Sequence, residues 1–205
     1  MTYLKSVGLR LLRVVVHFTE SVRCDSIAVG VSRTGKQGIF ILMLDSKQPS
    51  HILFVCDANT CRSPMAEAML KKMLADFAGK AGEIKVSSAG VAPRARDGSD
   101  ITLDVKWLLR EEGISVENFR SRDLKRHEEL LIETDLVLTM SQEQKERVRL
   151  LPQADGKGIY TLKEFIGETG DIADPWGDDA YAPCRDEIKR CLQKLITRLL
   201  PGPSL

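Results

Sequence analysis

No apolar run in this chain approaches the ~20 residues needed to cross a bilayer as a helix, so the sequence does not describe a membrane-spanning protein. Charge of one sign is equally lacking. Lys and Arg number 30 against 29 Asp and Glu, a net +1, and no basic stripe interleaved with aromatics occurs, which leaves nucleic acid without an electrostatic footprint. There is no internal repeat and no low-complexity run. Histidine is sparse at three residues, and no His-x3-His completes a zinc ligand set with the cysteines, so no metal is expected. The five cysteines, Cys24, Cys56, Cys61, Cys184 and Cys191, are an odd number without a convincing secretory signal. Reduced thiols in a reducing compartment, the cytoplasm, fit this better than a disulfide framework.

What is present is the balance of a soluble globular protein: 205 residues, 43% hydrophobic and 29% charged, enough for one well-buried domain with a small appendage. The appendage falls in residues 1–50. MTYLKSVGLRLLRVVVHFTESVR carries Lys5, Arg10, Arg13 and Arg23 against Glu20, a pattern shared by transit peptides, membrane-surface helices and plain extensions. SIAVGV and GIFILML, separated by SRTGKQ, predict a hairpin. The polar break DSKQPS then places the main domain at 51–205.

From His51 onward β-rich runs alternate with helical ones. HILFV, IKVSS, DLVLTM and GIYTL predict strands. PMAEAMLKKMLADF predicts a helix with Met65, Met69, Met73 and Phe77 on one face, ITLDVKWLLREEG one closed by Gly113, and QEQKERVRLL one ended before Pro152. A last helix over 183–200, opened by Pro183, keeps Ile188, Cys191, Leu192, Leu195, Ile196 and Leu199 on one stripe. Alternation of this kind predicts an α/β fold with an open four-stranded parallel sheet, helices on both faces and a ligand site at the carboxyl ends of the strands.

Two cysteines precede an arginine by six residues. Cys184 and Arg190 share the last helix, where six residues turn the side chains well apart around the axis. Cys56 instead ends an apolar strand, and Arg62 precedes a helix with Ser63 suited to its N-cap and Pro64 to its first turn. The loop between, Asp57, Ala58, Asn59, Thr60 and Cys61, can curl its N–H groups around an anion with the oxygens of a phosphate. Arg62 adds a planar fork, and the positive surroundings favour a thiolate at Cys56. No histidine is needed: His51 lies five residues back, about 16 Å if extended. Phosphorus chemistry also needs an acid for the departing atom, and Asp174 in GDIADPWGDD is placed to return to the same sheet edge.

As a set, VCDANTCRSPMAEA, the following VSSAG and the late ADPWG resemble the low-molecular-weight protein tyrosine phosphatases over roughly residues 52–200. The resemblance implies Cys56 as nucleophile, Arg62 as phosphoryl ligand and Asp174 as general acid. It also implies Asn59, Ser63 and Ser88 as supports of the loop and thiolate, and Cys61 as a redox partner of Cys56. The residues of the loop from Asp57 to Ser63, with Trp176 after the Asp-Pro, would line the substrate. No cofactor is implied.

Thr60 stands where the tyrosine-directed enzymes usually carry isoleucine and where the bacterial protein arginine phosphatases carry threonine. TLKEFIGETGDIADPWG, with one aromatic after Asp-Pro, is also similar to the arginine subgroup. The expected function is hydrolysis of phosphoarginine on proteins through a phosphocysteine. The alternatives are a phosphotyrosine phosphatase of the same fold, an arsenate reductase, and an inactive phosphate-loop binding module. Two positions depart from the family loop: Ala58 replaces glycine, which matters if the backbone there needs φ > 0, and Asp57 sets a negative charge beside the sulfur unless its side chain turns away.

Overall fold

A computed structural model describes residues 29–32, 40–43, 48–76 and 84–200. The basic N-terminal stretch, Cys24 and Phe77 lie outside the described residues. The chain divides into two units, Met1–Gln48 and Pro49–Leu205. In the first, β1 (Val29–Ser32) pairs antiparallel with β2 (Phe40–Met43).

In the second unit, β3 (His51–Cys56), β4 (Lys85–Gly90), β5 (Leu136–Thr139) and β6 (Gly158–Thr161) form a parallel sheet in the order β4-β3-β5-β6. Six helices accompany it among the described residues: α1 (Arg62–Ala75), α2 (Leu103–Glu111), α3 (Glu128–Ile132), α4 (Gln142–Arg149), α5 (Leu162–Phe165) and α6 (Tyr181–Leu199).

The continuous burial of β3 follows from its place at the sheet centre, where alternate residues feed two separate cores. Ile52, Phe54 and Cys56 pack with α1, α2 and α6 through Met65, Met69, Leu70, Val105, Ile188 and Leu192. Leu53 and Val55 pack on the other face with Leu130, Leu131, Val137 and Val148. The sheet is thus covered on both sides, as the alternation predicts. The chain leaves β3 toward β4 on one side and later adds β5 on the other. The carboxyl end of β3 is therefore the point where strand order reverses, the place where open α/β sheets bind their ligands.

Three local expectations change. Ser63 is not the N-cap of α1: the helix starts at Arg62 and is capped by Cys61 without a side-chain bond, because the Ser63 hydroxyl is occupied at Cys56. Pro64 therefore sits third in α1, and Pro183 third in α6, which begins at Tyr181. Both remain within the first four residues, whose N–H groups have no intrahelical partner to lose. On α1 the fully buried stripe runs through Met65, Ala66, Met69, Leu70 and Leu74, with Met73 only partly covered.

His51 is 3% exposed, with Nε2 2.7 Å from Ser87 Oγ. Burial first, then the nearby Lys85, push its pKa below the ordinary 6.5, against smaller opposing effects of Glu133 and Asp135. Between the lowered folded value and 6.5 the unfolded chain binds more protons, so stability falls as pH drops below about 6.5. Thermal melts from pH 7 to pH 5 should show a steeper loss for the wild type than for His51→Gln.

Candidate active site

The turn from β3 into α1 is held by side chains that point back at the sulfur. Asn59 takes φ +59°, alone among the described non-glycine residues in a positive φ, a region where asparagine is enriched. Its N–H lies 3.3 Å from Cys56 Sγ and the Ser63 hydroxyl 3.0 Å from the same atom. The Arg122 N–H donates to Asn59 Oδ1 at 2.9 Å. That contact fixes the amide so that Nδ2 donates to Ser63 at 2.9 Å and to Ser88 at 2.8 Å. Ser88 in turn donates to Glu67 at 2.5 Å. With its oxygen accepting from Asn59, the Ser63 proton is directed at the sulfur.

Ala58 needs no positive φ, since that conformation falls on Asn59; the missing glycine carries no backbone strain. The glycine that matters is Gly90 at the end of β4. A Cβ there would meet Asp57 O at 2.8 Å, Ala58 C at 2.9 Å and Ala95 Cβ at 3.1 Å, so the loop's approach to β4 depends on a bare Cα. Gly90→Ala is expected to cost about 1–3 kcal/mol in thermal or denaturant unfolding and to weaken competitive inhibition by inorganic phosphate, because the clash falls on loop backbone.

Arg62 is nearly buried, with its side chain 4% exposed. Nη1 donates to Ile172 O at 3.0 Å, while Nη2 is shared by Asp57 Oδ2 at 2.7 Å and Asp174 Oδ1 at 2.9 Å. Nε is buried without a partner. Among the described residues, none accepts from the N–H groups of Ala58, Thr60 or Cys61. A buried donor left unmade, as the Arg62 Nε is, is costly, and together with the open loop amides near a sulfur it suits a tetrahedral oxyanion. The side chain of Asp57 does not turn away into solvent; it lies on the guanidinium and accepts from Gln144 Nε2 at 3.1 Å.

The loop carrying Asp174 reaches the site because Ile172 donates to Met140 O at 2.8 Å while its carbonyl receives Arg62. Trp176, just beyond, is 81% exposed. Thr60 is half-buried on the rim, its carbonyl accepting from Thr102 N at 3.0 Å. Cys61 is half-buried against the core, and burial followed by the neighbouring Cys184 and Cys56 pushes its thiol pKa up. Burial likewise pushes Cys184 up to about 12, against the opposing pull of Arg62. Cys184 thus belongs to the edge of the site, its Sγ 3.8 Å from Ala173 O, whereas Arg190 leaves it for a two-pronged pair with Glu168.

The structure brings together Cys56, Asn59, Arg62, Ser63, Ser88 and Asp174, all legible in the sequence. Sequence reasoning missed Glu67, Gly90, Arg122 and Gln144. All four are visible only from contacts with residues distant in the chain: Glu67 with Ser88, Gly90 with Asp57 and Ala58, Arg122 with Asn59 and Gln144 with Asp57.

A cysteine under unpaired amides, a buried arginine and a facing aspartate form the kind of centre used for nucleophilic attack on phosphorus. Residues 51–201 match the model of the low molecular weight phosphotyrosine protein phosphatase family, and the chain belongs to that family. A protein-arginine-phosphatase of Geobacillus stearothermophilus is 37% identical over 155 residues, covering 74% of this chain and 97% of that protein. The low molecular weight protein-tyrosine-phosphatase PtpB of Staphylococcus haemolyticus is 33% identical, covering 71% and 97%. Among solved structures, a YwlE arginine phosphatase variant with a phosphorylated active-site serine is 36% identical, covers 75% of this chain and 97% of that one, and superposes with a TM-score of 0.65.

Proposed function

We propose that this protein removes phosphoryl groups from arginine side chains of proteins through a phosphocysteine. Cys56 attacks phosphorus in line, the P–N bond breaks with its electron pair passing to the guanidino nitrogen, and Asp174 protonates that nitrogen. Arg62 and the loop amides hold the equatorial oxygens as charge redistributes. Asp174 then takes a proton from the water that attacks the phosphocysteine, releasing inorganic phosphate and regenerating the thiolate. Ser63 and the Asn59 N–H support the sulfur as leaving group, and Asn59 and Ser88 hold the loop in register. Cys61 is proposed as the thiol that captures an oxidised Cys56. The free thiols of Cys56, Cys61, Cys184 and Cys191 support a cytoplasmic setting.

The observation that carries the reading is the buried, partnerless Nε of Arg62, at the start of the helix that the Cys56 loop opens, with Asp174 on the same guanidinium. The arginine preference rests on Thr60 and on the likeness to the arginine phosphatases. Assay of one peptide sequence carrying phosphoarginine or phosphotyrosine tests it. The wild type should favour phosphoarginine, and Thr60→Ile should shift the kcat/KM ratio toward phosphotyrosine by about tenfold or more. A wild type that turns over only phosphotyrosine overturns the arginine reading, and an unchanged ratio in Thr60→Ile removes that residue from the argument.

A further inference from the structure

We propose that Asp57 is a specificity-determining residue. With Asp174 it forms a two-carboxylate rim over Arg62 that favours a phosphoryl group carrying its own guanidinium cation and disfavours one esterified to an uncharged phenol. This inference rests on the phosphoarginine reading above and adds to it a residue that the loop pattern of the family does not supply.

The geometry is unusual in its charge. One nitrogen, Arg62 Nη2, serves both Asp57 Oδ2 at 2.7 Å and Asp174 Oδ1 at 2.9 Å. The arginine side chain is 4% exposed, the two acids 25% and 34%. The carboxylates therefore lie on the solvent side, where the group attached to phosphorus must emerge. With Asp174 holding the proton that it delivers to the leaving nitrogen, Asp57 is the fixed charge on this corner, and together with the sulfur anion it outweighs the single guanidinium. An arriving phosphoryl dianion needs the same arginine and meets that excess charge whatever it is attached to. A phosphoarginine brings a positive guanidinium into the space beside the acids and offsets the repulsion; a phosphotyrosine brings a ring and offsets nothing. The repulsive element is common to both substrates and the compensation to one, which is how discrimination arises without a tighter pocket.

Asp57 is held by more than the arginine. Gln144 is 1% exposed, and its Oε1 accepts from Met140 N at 3.0 Å and Ser141 N at 3.1 Å. Those two bonds settle the orientation of its amide, so that Nε2 has to face outward, and it donates to Asp57 Oδ2 at 3.1 Å. Both contacts, from Gln144 and from Arg62, fall on one carboxylate oxygen and fix the carboxylate from two sides, by the start of α4 and by the start of α1. A charge placed so firmly does not relax away when a dianion enters.

The test is Asp57→Asn, which keeps the shape and removes the charge, with Asp57→Glu as the variant that keeps charge. On matched peptides, Asp57→Asn should raise kcat/KM for phosphotyrosine and lower the inhibition constant of inorganic phosphate, each by about tenfold. kcat/KM for phosphoarginine should hold or fall, and Asp57→Glu should stay nearer the wild-type ratio. The inhibition constant of phosphocreatine, a phosphorylated guanidine, relative to that of inorganic phosphate reads the same selection without turnover. Equal shifts for both substrates, or an unchanged ratio of the two inhibition constants, overturn the proposal in favour of a uniform electrostatic brake. If the wild type leaves phosphoarginine uncleaved, the functional reading fails on its own, and the inhibition ratio still decides whether Asp57 selects for a neighbouring cation. Should Asp57→Asn fail to fold, Gln144→Met, which releases the carboxylate without altering the loop, should narrow the same ratio; no change there overturns the proposal.

Discussion

Cys56→Ser is expected to abolish turnover, by on the order of 10⁵- to 10⁶-fold in kcat, while leaving the melting temperature nearly unchanged. Removal of a nucleophile costs about this much where the remaining groups act only in concert with it. The hydroxyl is nearly the same size as the thiol in a 3% exposed position, and Asn59 N–H and Ser63 Oγ can still point at it, so folding should survive. The same donors stabilise a sulfur anion as nucleophile and as leaving group, whereas a serine oxygen leaves phosphorus poorly. A serine that does react should stay phosphorylated, detectable as one added phosphoryl mass on the intact protein. Loss of less than about 100-fold would place the nucleophile elsewhere. Asp174→Asn separates the acid from the nucleophile: the phosphocysteine should still form, at a rate roughly 10²-fold lower.

Arg62→Lys should lower kcat/KM by roughly 10³-fold, with the deficit larger for phosphate inhibition than the retained charge would suggest. A lysine supplies one compact charge in place of a planar fork. Here the guanidinium does four things at once: it binds Ile172 O through Nη1, Asp57 and Asp174 through Nη2, and leaves Nε for the substrate. An ammonium with three donors would spend them on the two carboxylates and the carbonyl, and the oxyanion would lose its partner. Oxyanion contacts of this kind are worth about 10²–10³ each. Isothermal titration with phosphate and steady-state kinetics on the same samples check this; a variant within tenfold of wild type in both would mean that the amides alone bind the anion.

The fold was legible because its strongest signals are local. β3 is a short continuous apolar run, and its burial on two faces is written in that continuity. The boundaries of α1 were less so, because Ser63 looks like a cap from its neighbours and is instead taken by Cys56 across the loop. Within the site, Cys56, Arg62 and Asp174 could be read since each carries a chemical type at a strand end or an Asp-Pro turn. Glu67, Gln144 and Arg122 could not, as their parts depend on Ser88, Asp57 and Asn59, partners 21, 87 and 63 residues distant. From the sequence Asp57 is a negative charge set beside the sulfur; the fold gives it Arg62 and Gln144 as partners. The short α3 escaped notice, its five residues being too few to display a helical period.

Ile172 is stitched on both sides, its amide to the end of β5 and its carbonyl to Arg62. The acid two residues further along the chain therefore arrives preassembled, without a swing of that loop over each phosphopeptide. Where catalysis waits on a closing lid, thickening the solvent slows the cycle; here the rate-limiting event should be bond-making at phosphorus or attack by water, and turnover should be indifferent to added viscogen.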